Sequence, residues 1–446
     1  MEMQAKPAIV QQSHVRYAIL ATIFLLTTIN FADRAAISVA GSAIKTALGI
    51  SPVTLGYIFS AFGWSYVFAQ IPGGALLDRY GSKTVYLASI IGWSACTFAS
   101  GFASFMAPAS AVIALFMLRL GLGAVEAPSF PANARLVAAW FPDSERGTAS
   151  AIFNSAQYAA LILFAPLMGW IVDRFSWHYV FFVMGTLGFV SAAIFAKVVH
   201  APRRHPHVSQ SELDHIMRGG AQIQLDAPSA TPKTAFSWSI VRQLLGNRML
   251  LGIYIGQYCV NGLTYFFTTW FPVYLVQAKH LSYTQAGFGA AVPAIAGVAG
   301  GIIGGVISDR LIKRGHSLTF SRKLPIVIGM LCAISIVLCN FVTSLTLVIA
   351  IMSLSFFGKG LGALGWAVVS DAAPREVTGL SGSIFNMVGN LAGIVTPIVI
   401  GYIVATTGSF DLALAFVAAH ALLVVVSYTM IVGPIRRFAL RDATAA

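Results

Sequence analysis

Residues 73–79 read Gly73-Gly-Ala-Leu-Leu-Asp78-Arg79, and residues 304–310 read Gly304-Gly-Val-Ile-Ser-Asp309-Arg310, a return after 231 positions. Ile152-Phe-Asn154 returns as Ile384-Phe-Asn386 after 232, Pro166 as Pro397 after 231, and Gly169 as Gly401 after 232. One such coincidence carries little weight. Four at one offset mean that the chain is two similar halves. Each heptad closes an apolar stretch and is followed by further cations, Lys83 after the first copy and Lys313 and Arg314 after the second. The copies differ in one respect: Gly81 follows Asp78 closely, whereas Gly315 is displaced further from Asp309.

The surrounding composition says what kind of halves these are. Of 446 residues, 57% are apolar and only 10% charged, and the mean hydropathy is +0.79. A soluble chain carries about 25% charged residues, so a water-soluble fold, a disordered chain and a disulfide scaffold are all excluded. Twelve membrane helices of ~20 residues need ~240 residues, close to the apolar content. The expected fold is therefore an all-α polytopic membrane protein with twelve transmembrane helices in two six-helix pseudo-repeats. Six spans lie within 17–199 and six within 249–432; the fourth is expected at 110–130 and the seventh at 250–276. Residues 1–16, a polar, proline-dotted linker at 200–248, and residues 433–446 lie outside them. In the linker, Ser211-Glu-Leu-Asp-His215 reads as the start of a short helix capped by Ser211.

A net charge of +13 would suit a nucleic-acid partner, but its placement argues otherwise. Of the 28 Lys and Arg residues, 22 fall in alternate loops and the termini; three (Lys45, Arg174, Lys279) fall in the other loops, and three (Arg34, Arg119, Lys359) lie inside spans. This asymmetry is a topology signal that places both termini in the cytoplasm. Cys96, Cys259, Cys332 and Cys339 all sit in apolar spans and read as small core residues. His178, His280 and His420 lack metal-ligand spacing, so no metal is expected, and no signal peptide is read at the N-terminus.

Five charges should not be in a bilayer: Asp33, Arg34, Arg119, Glu126 and Lys359. Each costs about 2.5–3.5 kcal/mol at a helix centre, so each needs a partner or a wet cavity. Three cations against two acids leave a positive remainder, which suits an anion and disfavours a cation exporter. Arg119 and Glu126 are two helical turns apart and face one cavity, whereas the adjacent Asp33 and Arg34 diverge by about 100°. Structural ion pairs, Asp33 with Arg119 or Glu126 with Arg34, are the alternative. Lys359, in Phe356-Phe-Gly-Lys359-Gly-Leu-Gly362, lies roughly 20 Å from either end of its span, too deep to snorkel. Its glycines allow close helix approach or local unwinding. A second cation matches a second substrate carboxylate. Gln157, Gln257, Asn386, Asn390, Tyr66 and Trp366 have the polar character that hydroxyl recognition requires.

The segment 73–83 resembles the loop signature of the major facilitator superfamily, whose acid pairs with basic side chains across a cytoplasmic gate. Thr27-Thr-Ile-Asn-Phe31-Ala-Asp33-Arg34 and Leu118-Arg119-Leu-Gly-Leu-Gly-Ala-Val-Glu126-Ala-Pro-Ser-Phe-Pro131 resemble its anion:cation symporter branch. Asn154-Ser-Ala-Gln157-Tyr158, Ile255-Gly-Gln257-Tyr-Cys259, Thr264-Tyr-Phe-Phe-Thr-Thr-Trp270 and Gly358-Lys359-Gly-Leu-Gly-Ala-Leu-Gly-Trp366 resemble the bacterial glucarate/galactarate (aldarate) group. Related galactonate transporters are more distant. The resemblance implies a transporter, not an enzyme, that imports a sugar diacid with protons across the bacterial inner membrane and needs no cofactor beyond the proton gradient. It further implies Asp33 and Glu126 as proton carriers, Arg34 as carboxylate anchor and Arg119 as charge partner. Tyr66, Gln157, Gln257, Lys359, Trp366 and Asn386 would bind substrate, and Asp78, Arg79, Asp309 and Arg310 would form the gate. Phe31 stands where relatives often carry Tyr, leaving a packing role. A monocarboxylate sugar acid, of the galactonate or hexuronate type, is the alternative substrate. The expected partners are an organic anion, protons and the lipid bilayer, with no nucleic acid and the monomer as functional unit.

Overall fold

Long apolar runs with few breakers fold as helices because only a helix satisfies its own backbone in hydrocarbon. The computed structural model describes residues 13–223, 238–374 and 377–440. Its long helices are α1 (Val15–Val39), α2 (Pro52–Tyr80), α3 (Ser82–Ser100), α4 (Pro108–Glu126, continued by Ser129–Trp140), α5 (Asp143–Arg174) and α6 (Trp177–Val198). The second half gives α7 (Arg248–Tyr265), α8 (Tyr283–Lys313), α9 (Leu318–Ala333), α10 (Leu345–Leu361, continued by Gly365–Ala372), α11 (Thr378–Thr407) and α12 (Asp411–Val426). With their continuations, ten are long and apolar enough to cross a membrane, and α2 and α7 occupy the second and seventh expected spans. The described residues contain no strand.

Local chemistry sets the ends. Ser51 Oγ accepts from Thr54 N (3.1 Å) with Pro52 in the first turn of α2, and Ser282 and Gln285 form a reciprocal capping box on α8. The duplicated heptads end α2 and α8, and each following turn contains a glycine at positive φ: Gly81 at 79° and Gly315 at 84°. The displaced glycine of the second copy thus keeps its conformational role. The linker helix Gln210–Arg218 begins one residue before Ser211, and the cap is Ser209, whose Oγ accepts from Glu212 N at 3.2 Å. Glu212, fully buried, accepts from the α1 start: Ser13 Oγ (2.6 Å), Val15 N (3.0 Å) and Arg16 N (3.1 Å). The first part of the linker is therefore bound to the N-terminal bundle, and its carboxylate neutralises the positive end of α1.

The two bundles meet along α2 against α11 and α5 against α8. These contacts carry the repeat. A Cβ on Gly56 would stand 2.6 Å from Pro397 O, and on Gly287 2.4 Å from Ala165 O and 2.8 Å from Pro166 Cα. One on Gly401 would stand 2.7 Å from Pro52 O, and on Gly169 2.2 Å from Tyr283 O. Gly56 and Gly287 are 231 apart, so the recurring glycines and prolines are the close-contact points of the two seams. Nearby, Ser38 Oγ donates to Thr269 O (2.5 Å), Lys45 Nζ to Gln277 Oε1 (3.2 Å) and Gln277 Nε2 to Ser42 Oγ (3.2 Å). Asp173 accepts from Tyr283 N (3.2 Å) and Thr284 N (2.7 Å) at the α8 start. All of these lie at the end remote from the termini. Among the described residues, hydrogen bonds between bundles reach from there only as deep as Asn386 Nδ2 to Gln70 Oε1, 3.1 Å. This conformation is shut at the end opposite the termini.

Two helices break at equivalent places. The α4 span runs past its expected end to Trp140, with a joint at Ala127–Pro128 immediately after Glu126. The α10 span breaks at 362–364, just beyond Lys359. The first glycine of each heptad packs on its bundle's break: a Cβ on Gly73 would stand 3.0 Å from Pro128 Cγ, and one on Gly304 2.4 Å from Leu361 O. The seventh span is not one α-helix either; a π-helical turn, Phe266–Trp270, joins α7 to Phe271–Gln277. Around Lys359, a Cβ on Gly358 would stand 2.2 Å from Gly329 O of α9 and one on Gly360 2.2 Å from Gly297 O of α8. Both expectations for this stretch, close approach and unwinding, are therefore met. Gly358→Ala is expected to lower stability by about 1–3 kcal/mol through overpacking, seen as a lower melting temperature of the purified protein. Gly305→Ala, where nothing lies within 4 Å, should not lower it.

Candidate functional site

The α4 break places Glu126 at the end of a helix segment, fully buried, opposite Arg34 of α1. Arg34 Nε and Nη2 both contact Glu126 Oε1, a hydrogen-bonded ion pair. Its guanidinium also lies 4.7 Å from the Phe31 and Phe62 ring centroids and 4.9 Å from that of Tyr66, which stacks on Phe62 at 5.0 Å. A planar cation among three rings suits Arg and not Lys. Phe31, without a hydroxyl, retains this ring contact and an edge contact to Phe130 at 6.0 Å.

Of the two structural ion pairs weighed from the sequence, Arg34–Glu126 forms and Asp33–Arg119 does not. Asp33 is 2% exposed and neither carboxylate oxygen has a hydrogen-bond partner among the described residues. Arg119, 5% exposed, has its guanidinium carbon 5.5 Å from the Phe62 ring, and its Nε is unbonded. Asp33, Arg119 and Glu126 lie within electrostatic range of one another. The second Glu126 oxygen is also unbonded. Unsatisfied buried polar atoms are costly, and several of them are gathered at this cluster.

The other bundle contributes Lys359, 5% exposed, whose ammonium lies 5.2 Å from the Phe356 ring and 5.6 Å from Tyr158 and makes no ion pair among the described residues. Gln257 Nε2 donates to Asn261 Oδ1 (3.2 Å), and Tyr265 Oη donates to Asn390 Oδ1 (3.1 Å). Asn390 Nδ2 donates to Asn386 O (2.8 Å), and Asn386 continues the network to Gln70 on the facing bundle. Trp366, half exposed, meets Phe385 edge-on at 5.0 Å, and half-buried Gln157 donates to Asn154 O at 3.2 Å. Gln70 and Tyr265 were not singled out from the sequence. Tyr265, within electrostatic range of Arg34, stands 231 residues after it, so the repeat offset was the available signal.

The heptad charges sit apart from this site. Asp78 pairs with Arg135 of its own bundle (2.6 Å), and Asp309 shares Arg322 (3.8 Å) with Asp371 (2.9 Å) inside the second bundle. Arg79 lies 5.2 Å from the Tyr80 ring, and Arg310 is exposed at the α8 end. These ion pairs each lie within one bundle.

Two like helical bundles, meeting at seams of small residues and enclosing buried charges between them, define a membrane transporter. The chain belongs to the Major Facilitator Superfamily, whose sequence profile matches residues 23–397. It is 54% identical over 431 residues to the probable galactarate/D-glucarate transporter of Bacillus subtilis (strain 168), covering 97% of this chain and 95% of that one. It is 40% identical over 426 residues to the D-galactonate transporter of Escherichia coli O6:H1, covering 95% and 96%. A crystal structure of a D-xylose-proton symporter superposes with a TM-score of 0.72 at 14% identity, covering 94% and 98%, which shows the shared fold. The chain is thus a multi-pass transporter, not an enzyme.

Removing one partner of a buried ion pair strands the other. Arg34→Met is expected to destabilise the protein by about 3 kcal/mol, and adding Glu126→Gln should recover most of that loss. Thermal unfolding of the single and double variants checks this; equal loss in both would mean that the pair does not carry the cost.

Proposed function

We propose that this chain is a proton-coupled symporter that imports a sugar diacid, glucarate or galactarate, across the bacterial inner membrane by alternating access, with both termini cytoplasmic. The observation that carries the reading is the pair of cations on opposite bundles, half-buried Arg34 and buried Lys359, the latter without an ion-pair partner among the described residues. One cation on each bundle suits two carboxylates, and Gln157, Gln257, Asn386 and Tyr66 supply the donors and acceptors that chain hydroxyls require. The names of the more similar relatives agree with this substrate.

In outline, Asp33 and Glu126 take protons while the end away from the termini is open. Protonated Glu126 loosens its hold on Arg34, which then accepts one carboxylate while Lys359 accepts the other. Arg119 balances the remaining charge. The bundles rock into the conformation described here, substrate leaves toward the termini, and the acids then release their protons. Because a ligand shifts such an equilibrium only through its differential affinity for the two states, the contact made from both bundles at once is the one that drives closure.

A monocarboxylate sugar acid is the second reading. It is favoured by the Arg34–Glu126 pair, which occupies Arg34 and leaves Lys359 as the second bundle's site cation without an ion pair among the described residues. Uptake of labelled glucarate, galactarate and galactonate into vesicles, with and without an imposed pH gradient, separates the two. Diacids should compete strongly and galactonate weakly. Lys359→Gln should reduce diacid uptake about tenfold or more, as expected for a lost charged hydrogen bond. Asp33→Asn and Glu126→Gln should abolish accumulation against a gradient while retaining counterflow. Unchanged diacid uptake by Lys359→Gln would favour the monoacid reading, and accumulation by either neutral-acid variant would remove that acid from the coupling.

A further inference from the structure

At the shut end a cavity of about 860 Å³ lies between the bundles and apart from the Arg34 cluster. The short helix Gly41–Leu48 contributes Lys45 from the first half, and the segment after Phe271–Gln277 contributes Lys279 from the second. These are two of the three cations that the sequence places on this side of the membrane. Neither is neutralised by a carboxylate among the described residues: Lys45 Nζ donates to Gln277 Oε1 (3.2 Å) and Lys279 Nζ to Val342 O (3.2 Å). The carboxylate on the cavity wall is that of Asp411, so the lining carries a positive remainder.

A second observation points to a missing ligand. Tyr274 lines the cavity and is 3% exposed, yet its hydroxyl has no hydrogen-bond partner among the described residues. The same holds for Oδ1 of Asn340, another lining residue, whose Nδ2 donates to Asp411 O at 3.0 Å. A buried donor and a buried acceptor left over beside two ammonium groups without an ion pair among the described residues match an anion that also carries hydroxyls. The backbone is held tightly here as well: His280, next to Lys279, has a φ of 55°, in the left-handed region that non-glycine residues rarely occupy.

We propose that this cavity is a second binding site for the transported class of substrate, a polyhydroxylated carboxylate, held by Lys45 and Lys279 at the mouth through which it arrives. The assignment rests on the reading of the central site as one for a sugar diacid. Its position has a mechanical consequence. Lys45 also makes one of the hydrogen bonds that join the bundles, so an anion that engages its ammonium competes with Gln277 and loosens the shut end. Substrate arriving at this mouth therefore favours the opening that admits it.

The test is equilibrium dialysis of labelled D-glucarate against the full chain in lipid nanodiscs, with four proteins compared. The unmodified chain should bind two equivalents. Lys45→Gln/Lys279→Gln should bind one, with affinity at the lost site reduced at least tenfold, and its retained central site reports that it is folded. Lys45→Arg/Lys279→Arg should keep both. Arg34→Met/Glu126→Gln should lose only the central equivalent. Two unchanged equivalents in the Lys→Gln protein overturn the proposal. So does a single equivalent in the unmodified chain that disappears with the Arg34 variant, although the central-site reading then stands. If the Lys→Gln change removes binding and the Arg34 variant does not, the outer site stands and the central reading fails. No binding to the unmodified chain sinks both.

Discussion

A charge held in hydrocarbon must have a counter-charge, a dipole or water within reach, and in this protein the Arg34–Glu126 pair is where that requirement is met. Much of the N-terminal bundle follows from it. The break after Glu126 ends a helix segment at the carboxylate, Gly73 allows α2 to lie against Pro128 at that break, and Phe31, Phe62 and Tyr66 enclose the guanidinium. Asp33 and Arg119 remain beside the pair without an ion pair among the described residues. The cluster thus holds more charge than its one ion pair uses.

The seams between bundles are built on a different principle from the bundle interiors. Inside, large rings such as Trp93, Tyr86 and Phe195 are fully buried. Between the halves, glycines meet backbone at Gly56, Gly169, Gly287 and Gly401. A glycine-to-backbone contact involves no interlocked side chain, so it separates without repacking a core. Among the described residues, the hydrogen bonds across the seams, such as Ser38 to Thr269 and Asn386 to Gln70, each contribute roughly 0.5–1.5 kcal/mol net. Such an interface can be remade at modest cost while each bundle moves as a unit.

The architecture was legible because its two determinants are compositional and periodic. Charge scarcity identifies the spans, and an offset near 231 identifies the halves. Details that depend on a partner far along the chain were not legible. Hydropathy located the fourth span but could not register that its helix continues to Trp140 through a joint, because Pro128 and Pro131 read as an end and Asn133 and Arg135 make the continuation more polar. Nothing in Phe266–Trp270 signals a π-helical turn. The choice of Ser209 over Ser211 as cap is decided by Glu212, which must turn inward to reach α1. The heptad acids meet Arg135 and Arg322 of their own bundles, contacts that motif spacing does not reveal. Conversely, Tyr265 was within reach of sequence reasoning, because it occupies the repeat position of Arg34.

That last correspondence extends to the chemistry. Glu126 and Lys359 are 233 residues apart, each just before the break in its bundle, so the two halves place opposite charges at nearly equivalent points. Arg34 and Tyr265 are equivalent likewise, a charged donor facing a neutral one. The backbone is close to symmetric and the electrostatics are not. In the proposed cycle this asymmetry is what allows coupling. The acids that can take a proton sit on the same bundle as Arg34, so protonation changes the availability of that cation without any movement of helices. Lys359 has no such acid beside it among the described residues and stays available throughout. An anion that has gained Arg34 through protonation reaches Lys359 only when the bundles approach correctly, and domain closure thereby becomes conditional on both proton and substrate.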